Sequence, residues 1–415
     1  MTKNDKSPEF ADFSSVQMNE ENPKWKQSVS REYPIYKKDY DKRNPFERDI
    51  HRIMHSNGYR RLKNKTQVFF APHNDHICTR IEHVSHVASV AETIAKFLNL
   101  NLDLVRAIAI GHDIGHAPFG HKGETILKGI AQNNNLDEFW HEQNSLNFID
   151  KIETLPDYEG YQQNLNLTYA VRDGIVCHCG EIDERCIVPR EEAISLYDIP
   201  KGGKIGAYTY EGCVVKISDK IGYIGRDIED AMLYGILTEE KTNELEEIIQ
   251  TTYPDIKLTE INTTVLMHKF IIDLCKNSSI EDGLCFSNEC YEVMNTIKKF
   301  NYDNIYFHNR LKPFKKYAEL VINTIFDKLV EYFHKDLRKS IDTERTLFPI
   351  LIKNFEEWLV KYSNYNIGAR QNVKLRNKII YDIQDEKSYK KSVIDFISGM
   401  SDNFAIQIFN EIISF

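Results

Sequence analysis

Between residues 109 and 124 the chain reads A-I-G-H-D-I-G-H-A-P-F-G-H-K-G-E, and no other stretch constrains the fold as tightly. His112, Asp113, His116, His121 and Glu124 fall within it, separated by Gly111, Gly115, Pro118, Gly120 and Gly123. Imidazoles and carboxylates are metal ligands and also the usual general acids and bases. Imidazoles crowded together cost stability unless an ion or an anion satisfies them, so the run marks a candidate metal and catalytic site. The glycines allow backbone to come close to whatever the imidazoles hold.

The pattern around this run is helical. Asn44-Pro45 reads as an N-cap with proline at the first helical position, and Phe46, Ile50, Ile53 and Met54 share one face of the helix it starts. From Thr79, the residues Val84, Val87, Ala88, Ala91, Ile94, Ala95 and Leu98 recur at helical spacing. A helix from Leu102 to Ile110 then delivers His112 and Asp113 at its C-terminal end. Further helices are expected over 123–130, 139–149, 169–177 and 212–237. The last has Val214, Ile217, Ile221, Ile224 and Ile228 as its buried stripe. Residues 158–166 read as loop, and 187–209, with Pro189, Pro200 and Gly202-Gly203, as an excursion.

Beyond residue 240 the apolar period persists without catalytic residue types. Tyr317, Val321, Ile325, Leu329, Tyr332 and Phe333 form one face, and Val393, Ile394, Ile397, Phe404 and Ile408 suggest a closing helical hairpin. No internal repeat, heptad array or alternating strand series is present. The fold class is therefore all-α, divided into a frayed arm over 1–30, a core over 31–240 and a C-terminal helical region over 241–415.

A chain of 415 residues can bury a substantial core. No apolar run approaches the roughly 20 residues that a membrane helix requires, and the N-terminus lacks an apolar secretory segment, so a cytoplasmic protein is expected. Its eight scattered cysteines are expected to be thiols there. The net charge of −9 argues against a protein that coats nucleic acid. Arg48, Arg52, Arg60, Arg61, Lys63 and Lys65 nevertheless supply local positive charge for a small anion.

One His-Asp pair cannot hold a metal alone, so further ligands must come from other helices. His83 lies on the preceding helix in T-R-I-E-H-V. Asp219 lies on a later one, where Asp219, Tyr223 and Asp227 repeat at i, i+4, i+8 and so share a face. Flanked by Lys220 and Arg226, that face also fits a solvated surface.

Several segments together resemble the HD-domain phosphohydrolases, and within them the deoxyguanosine triphosphate triphosphohydrolase-like enzymes. They are R-R-L-x-x-K-T-Q-V-F at 60–69, T-R-x-x-H at 79–83, H-D-I-G-H-x-P-F-G-H-x-G-E at 112–124, N-L-T at 166–168 and the Asp219 segment. A weaker echo, F-I-S-G-M-S-D-N-F-A, occupies 396–405. The resemblance implies an HD-domain helical core and cleavage of a deoxynucleoside triphosphate, dGTP above others, into deoxynucleoside and tripolyphosphate. It implies His83, His112, Asp113 and Asp219 as ligands of one divalent ion. Mn²⁺ and Mg²⁺ suit the carboxylates and Fe²⁺ the imidazoles. It further implies His121 as the catalytic histidine with Glu124 as its carboxylate partner, His116 at the α-phosphate, and His141 as another active-site histidine. Arg80, Lys220 and Tyr223 match phosphate-gripping positions, Asp227 a sugar contact and Gln67 a reader of the 3′-hydroxyl. A homo-oligomer, tetramer or hexamer, and activation by a nucleotide or single-stranded DNA are further implications. The chain departs from the family at Ala117-Pro118, where Pro-Pro is common, and after His141, where it reads H-E-Q-N.

Other readings remain open at this point. One is an HD phosphohydrolase of a nucleoside monophosphate or cyclic nucleotide, and another is a non-catalytic nucleotide or nucleic-acid sensor. Cys177-His178-Cys179 with Cys186 nearby invites a zinc reading, but C-x-C without a second close pair of thiols argues against it. His73 and His76 fit a pocket rim. Arg310, Lys312, Lys315 and Lys316 fit a solvated face or a nucleic-acid contact.

Overall fold

The computed structural model describes residues 10–36, 38–70, 76–178, 184–201, 205–254 and 262–414. Among these, eighteen α-helices stand against two sheets of two short strands each, so the fold is all-α.

The local signals act as read. Asn44 caps the Pro45–His55 helix, its side chain accepting from the Glu47 N–H while Glu47 accepts from the Asn44 N–H. The Arg80–Phe97 helix opens with Glu82 accepting from the Thr79 N–H at 2.7 Å. This helix packs between Leu102–Gly111 and the long Tyr210–Leu233 helix. Tyr169–Cys177 lies against the last two. The His-rich run starts at the C-cap of Leu102–Gly111 and ends inside the Gly120–Asn133 helix, longer at both ends than the apolar spacing suggested.

Two apolar clusters organise the molecule. The larger joins Pro45–His55, Arg80–Phe97, Leu102–Gly111, Tyr169–Cys177 and Tyr210–Leu233 with Thr263–Asn277 and Asn288–Asn301. The smaller joins Ala117, Phe119, Leu127 and Ile130 to Lys312–Lys335, Pro349–Tyr362, Glu386–Ser398 and Asp402–Ile413. The region after residue 240 thus divides between the clusters, and the Gly120–Asn133 helix packs on its C-terminal part.

Three expectations need correction. Residues 10–30 are not a frayed arm: Phe13 and Met18 are buried, and the N–H groups of Phe13 and Met18 donate to the Leu98 carbonyl and to Glu211 Oε1, both at 2.9 Å. Residues 158–166 are not all loop, since Gln162–Asn164 pairs antiparallel with Thr154–Pro156. The cysteines are not all thiols, because Cys186 and Cys285 form a disulfide where the Cys186–Ile187 strand pairs with Leu284–Cys285.

Candidate metal and phosphohydrolase site

His112 caps the C-terminus of Leu102–Gly111, and its Nδ1 donates to the Ala109 carbonyl at 2.6 Å. Its Nε2 is consequently left as a lone pair, buried and without a hydrogen-bond partner. His83 and Asp219 converge on it. His83 Nε2 lies 3.0 Å from Asp219 Oδ1, and the His83 and His112 rings are 5.5 Å apart. One ligand atom from each of His83, His112 and Asp219 falls within 4.8 Å of the others. An orphaned imidazole nitrogen facing a carboxylate fits a divalent ion, since burying that lone pair is otherwise costly.

Asp113 sits beside this set but is held by Arg80, whose Nη1 donates to Asp113 Oδ2 at 2.8 Å. Burial would raise the Asp113 carboxyl. The Arg80 guanidinium and the surrounding imidazoles hold it well below the usual carboxylate range. Arg80 is itself buried and fixed by the Thr66 and Gln67 carbonyls at 3.1 and 3.4 Å. Asp219 behaves like Asp113, with burial opposed by the hydrogen bond and charge of His83, and its carboxyl also lies low.

A second cluster lies alongside. His116 is fully buried, with neither ring nitrogen partnered, and it stacks on His141 with ring centroids 4.6 Å apart. Burial and the Arg80 charge push its imidazole well below its ordinary pKa, so it is neutral. Glu124 receives both remaining histidines. His141 Nδ1 is 3.1 Å and His121 Nδ1 3.4 Å from Glu124 Oε2, and the His141 N–H donates to Oε1 at 3.1 Å. The carboxylate is therefore shared, with His141 as its closer partner. Burial raises the Glu124 carboxyl, but the His141 charge and the two imidazole hydrogen bonds bring it below the normal range. His121 is the open member, its side chain 64% exposed.

The loop between the clusters explains two glycines. A Cβ on Gly115 would lie 2.1 Å from the Ser145 nitrogen, because the loop packs directly on the His141–Asn147 helix. Gly120 has φ +61° and follows Phe119 at +63°, a left-handed pair that turns the chain into the Gly120–Asn133 helix. The close approach is thus to protein backbone.

Asp219, Lys220, Tyr223 and Asp227 all project from Tyr210–Leu233, whose polar face is not solvated: Asp227 is 3% exposed. Burial raises the Asp227 carboxyl to about 7, and Tyr306 donates a hydrogen bond to it. Lys220 and Tyr223 line a cleft with Ile217, Ile224 and Phe286. The Gln67 side-chain carbonyl is buried and unpartnered.

Elsewhere the expectations fare differently. The basic run does not converge on one anion: Arg48 pairs with Asp41, Arg52 donates to the Leu165 carbonyl, Arg61 pairs with Glu153, and Lys65 donates to the His116 carbonyl. Arg60 and Lys63 are exposed, as are His76, Arg310, Lys312, Lys315 and Lys316. His73 and Cys179 lie outside the described residues. Three groups escaped the sequence reading. Tyr306 carries no sequence signal, Asp402 lies in the 396–405 echo without an assigned role, and His178 was weighed only as part of a zinc motif.

The HD domain family matches residues 80–223, a span that runs from Arg80 through Tyr223 and so includes both histidine clusters. A deoxyguanosinetriphosphate triphosphohydrolase-like protein of Desulfatibacillum aliphaticivorans is 31% identical, covering 89% of this chain and 88% of its own. Proteins with the same description from Caldanaerobacter subterraneus and Clostridium tetani are each 32% identical, covering 90% of this chain and 86% of theirs. The chain belongs to the deoxyguanosinetriphosphate triphosphohydrolase-like family. As an HD-domain member of that family it is a metal-dependent phosphohydrolase, and His, Asp and Glu side chains gather in groups that could hold a divalent ion. Among the described residues no helix is long and apolar enough to cross a membrane.

Proposed function

We propose that this chain hydrolyses deoxynucleoside triphosphates, dGTP foremost, to deoxynucleoside and intact tripolyphosphate. The observation that carries the reading is the adjacency of two unlike clusters, one with a buried orphaned lone pair at His112 and one with an exposed imidazole on a carboxylate at His121. His83, His112, Asp113 and Asp219 hold the ion. When bound, the ion neutralises charge on the phosphoryl oxygens and makes water a better nucleophile.

The chain's own residues do the rest. Water attacks the α-phosphorus and releases a proton to solvent, the bond to O5′ breaks, and the departing oxygen takes up a proton because an alkoxide is a poor leaving group. His121 supplies it from the open side of the site, steadied by Glu124. His116, neutral and unpartnered, donates one N–H to the α-phosphate, and His141 fixes Glu124 between the rings. Arg80 contributes positive charge in a preset orientation, and Lys220 and Tyr223 grip the remaining phosphates. The unpartnered Gln67 carbonyl accepts from the 3′-hydroxyl, and Asp227 contacts the sugar. The same reading makes the chain a cytoplasmic homo-oligomer, which light scattering would size.

Product analysis tests the proposal. Each of the four dNTPs, singly and in pairs, is incubated with the protein and Mn²⁺ or Mg²⁺, and nucleoside, monophosphate, pyrophosphate and tripolyphosphate are resolved. Nucleoside with tripolyphosphate is the expected pair. Monophosphate with pyrophosphate, or no turnover under any condition, overturns it.

A further inference from the structure

His178 caps the C-terminus of Tyr169–Cys177, and its Nδ1 lies 2.6 Å from the Ile175 carbonyl, three residues back. His112 is presented in the same way: helix C-cap, Nδ1 on the carbonyl three residues back, 2.6 Å. Tying Nδ1 to a backbone carbonyl fixes the tautomer and leaves Nε2 as the free lone pair, the usual preparation of a metal-ligating histidine. The two rings meet at 4.8 Å, edge to face. One ligand atom from each of His112, Asp113 and His178 lies within 4.8 Å of the others.

The surroundings of His178 are site groups rather than core. It is 1% exposed, its ring is 5.6 Å from that of His141, and Asp219 and Glu142 act on it electrostatically. The neighbouring thiol takes no part: Cys177 faces Asp173 and Arg190 on another side of the helix. Cys177 thus faces away and Cys186 is held in the disulfide, while His178 between Cys177 and Cys179 turns towards His112.

We propose that His178 Nε2 is a further protein ligand of the divalent ion, joining Asp113 to the set formed by His83, His112 and Asp219. The proposal rests on the metal-site reading given above, and the test separates the two. Full-length protein is stripped with EDTA and titrated with Mn²⁺, free ion being followed by electron paramagnetic resonance and bound ion by elemental analysis. Wild type is compared with His178→Ala, His178→Gln and Asp219→Ala, and the apo melting temperature of each reports folding. Asp219→Ala is expected to lose the ion. Both His178 variants are expected to bind Mn²⁺ at least tenfold more weakly, with a smaller Mn²⁺-induced rise in melting temperature. His178→Gln preserves volume and keeps the comparison valid if the alanine variant fails to fold. Wild-type affinity in His178→Gln alongside loss in Asp219→Ala overturns the ligand assignment alone. Wild-type affinity in both overturns the ion site and the assignment together.

Discussion

Asp402 is the residue whose loss tests the architecture most sharply. It begins the Asp402–Ile413 helix, is 3% exposed, and holds two distant loop segments of the site. Its Oδ2 accepts from the Thr66 N–H at 2.9 Å and the Thr66 hydroxyl at 2.5 Å, and its Oδ1 accepts from the Phe119 N–H at 2.8 Å. Thr66 adjoins Gln67 and its carbonyl orients Arg80, while Phe119 is the left-handed residue that starts the His121 helix. In Asp402→Ala the hydroxyl can turn elsewhere, but two buried N–H groups cannot. At about 1–3 kcal/mol each, they put the loss at about 2–6 kcal/mol. Release from burying a carboxylate offsets about 1 kcal/mol of this and leaves about 1–5 kcal/mol. For a chain this long, calorimetry should then show a melting temperature lower by about 1–6 °C. Phe119 also loses what keeps it in a strained conformation worth about 1 kcal/mol. A shift of His121 by about 1 Å is enough to lower kcat by about a hundredfold. The control is Asp385→Ala, an N-cap accepting from the exposed Ser388 N–H, which should cost about 1 kcal/mol and leave kcat alone. If Asp402→Ala melts no lower than wild type and turns over within about twofold of it, the carboxylate is not the clip that its hydrogen bonds imply.

His121→Ala should abolish dNTP turnover while elemental analysis still finds the ion, whereas Asp113→Ala should lose both; wild-type activity in either variant contradicts the assignment. Asp227 gives a signed pH effect. Burial raises its folded carboxyl from 3.8 to about 7, so its stabilising contribution is complete below about pH 4 and lost as pH rises through 7. Asp227→Asn lacks this dependence, so its melting temperature relative to wild type should climb between pH 5 and 8, by roughly 1.4 kcal/mol of stability per unit at most; a pH-independent difference refutes the burial argument. Alkylation of the denatured, unreduced chain should label Cys78, Cys177, Cys213, Cys275 and Cys290 and leave Cys186 and Cys285 unlabelled, and mass spectrometry showing label on either of the last two would dissolve that pair.

What the sequence made legible follows from what each signal depends on. Asn44 with Glu47 and Pro45, or the stripe from Val84 to Leu98, involve neighbours within a few turns, and local physics decides them. The candidate ligands stood out because histidine beside aspartate is a rare grouping whose chemistry is narrow. Phe13 and Met18 show no period at all. What buries them is contact with Leu98 and Glu211, which no local window contains. The Gln162–Asn164 strand is three residues long, too short for alternation to register. Cys186 was read with its near neighbours Cys177 and Cys179, because its actual partner lies 99 residues away. His178 was visible, but it was weighed only with the two cysteines around it, as a zinc motif set aside for its spacing; the informative feature was its place at the end of an apolar helix, as with His112.

The contiguity of the His-rich run conceals how the site is built. His83, His112 and Asp219 stand on helices of the larger apolar cluster, so their mutual geometry follows from the packing of Arg80–Phe97, Leu102–Gly111 and Tyr210–Leu233. His121 and Glu124 lie only a few residues further along, yet their helix buries Leu127, Ile130 and Ala131 in the smaller cluster, against residues some two hundred positions away. The chain crosses from one cluster to the other between Gly115 and Gly120, through the left-handed turn at Phe119. Covalent continuity cannot fix the relative position of the two halves across such a turn. Cross-bracing does: Lys65 donates to the His116 and Ser398 carbonyls, Asn144 to the Gly115 carbonyl and Ser398 Oγ, and Asp402 receives Thr66 and Phe119. Each brace joins the loop, or the segment beside it, to the turn between the last two helices. On the proposed mechanism, the ion-binding cluster and His121 act on one phosphorus from separate cores, and that requires the turn to hold its place, so the C-terminal hairpin belongs to the site.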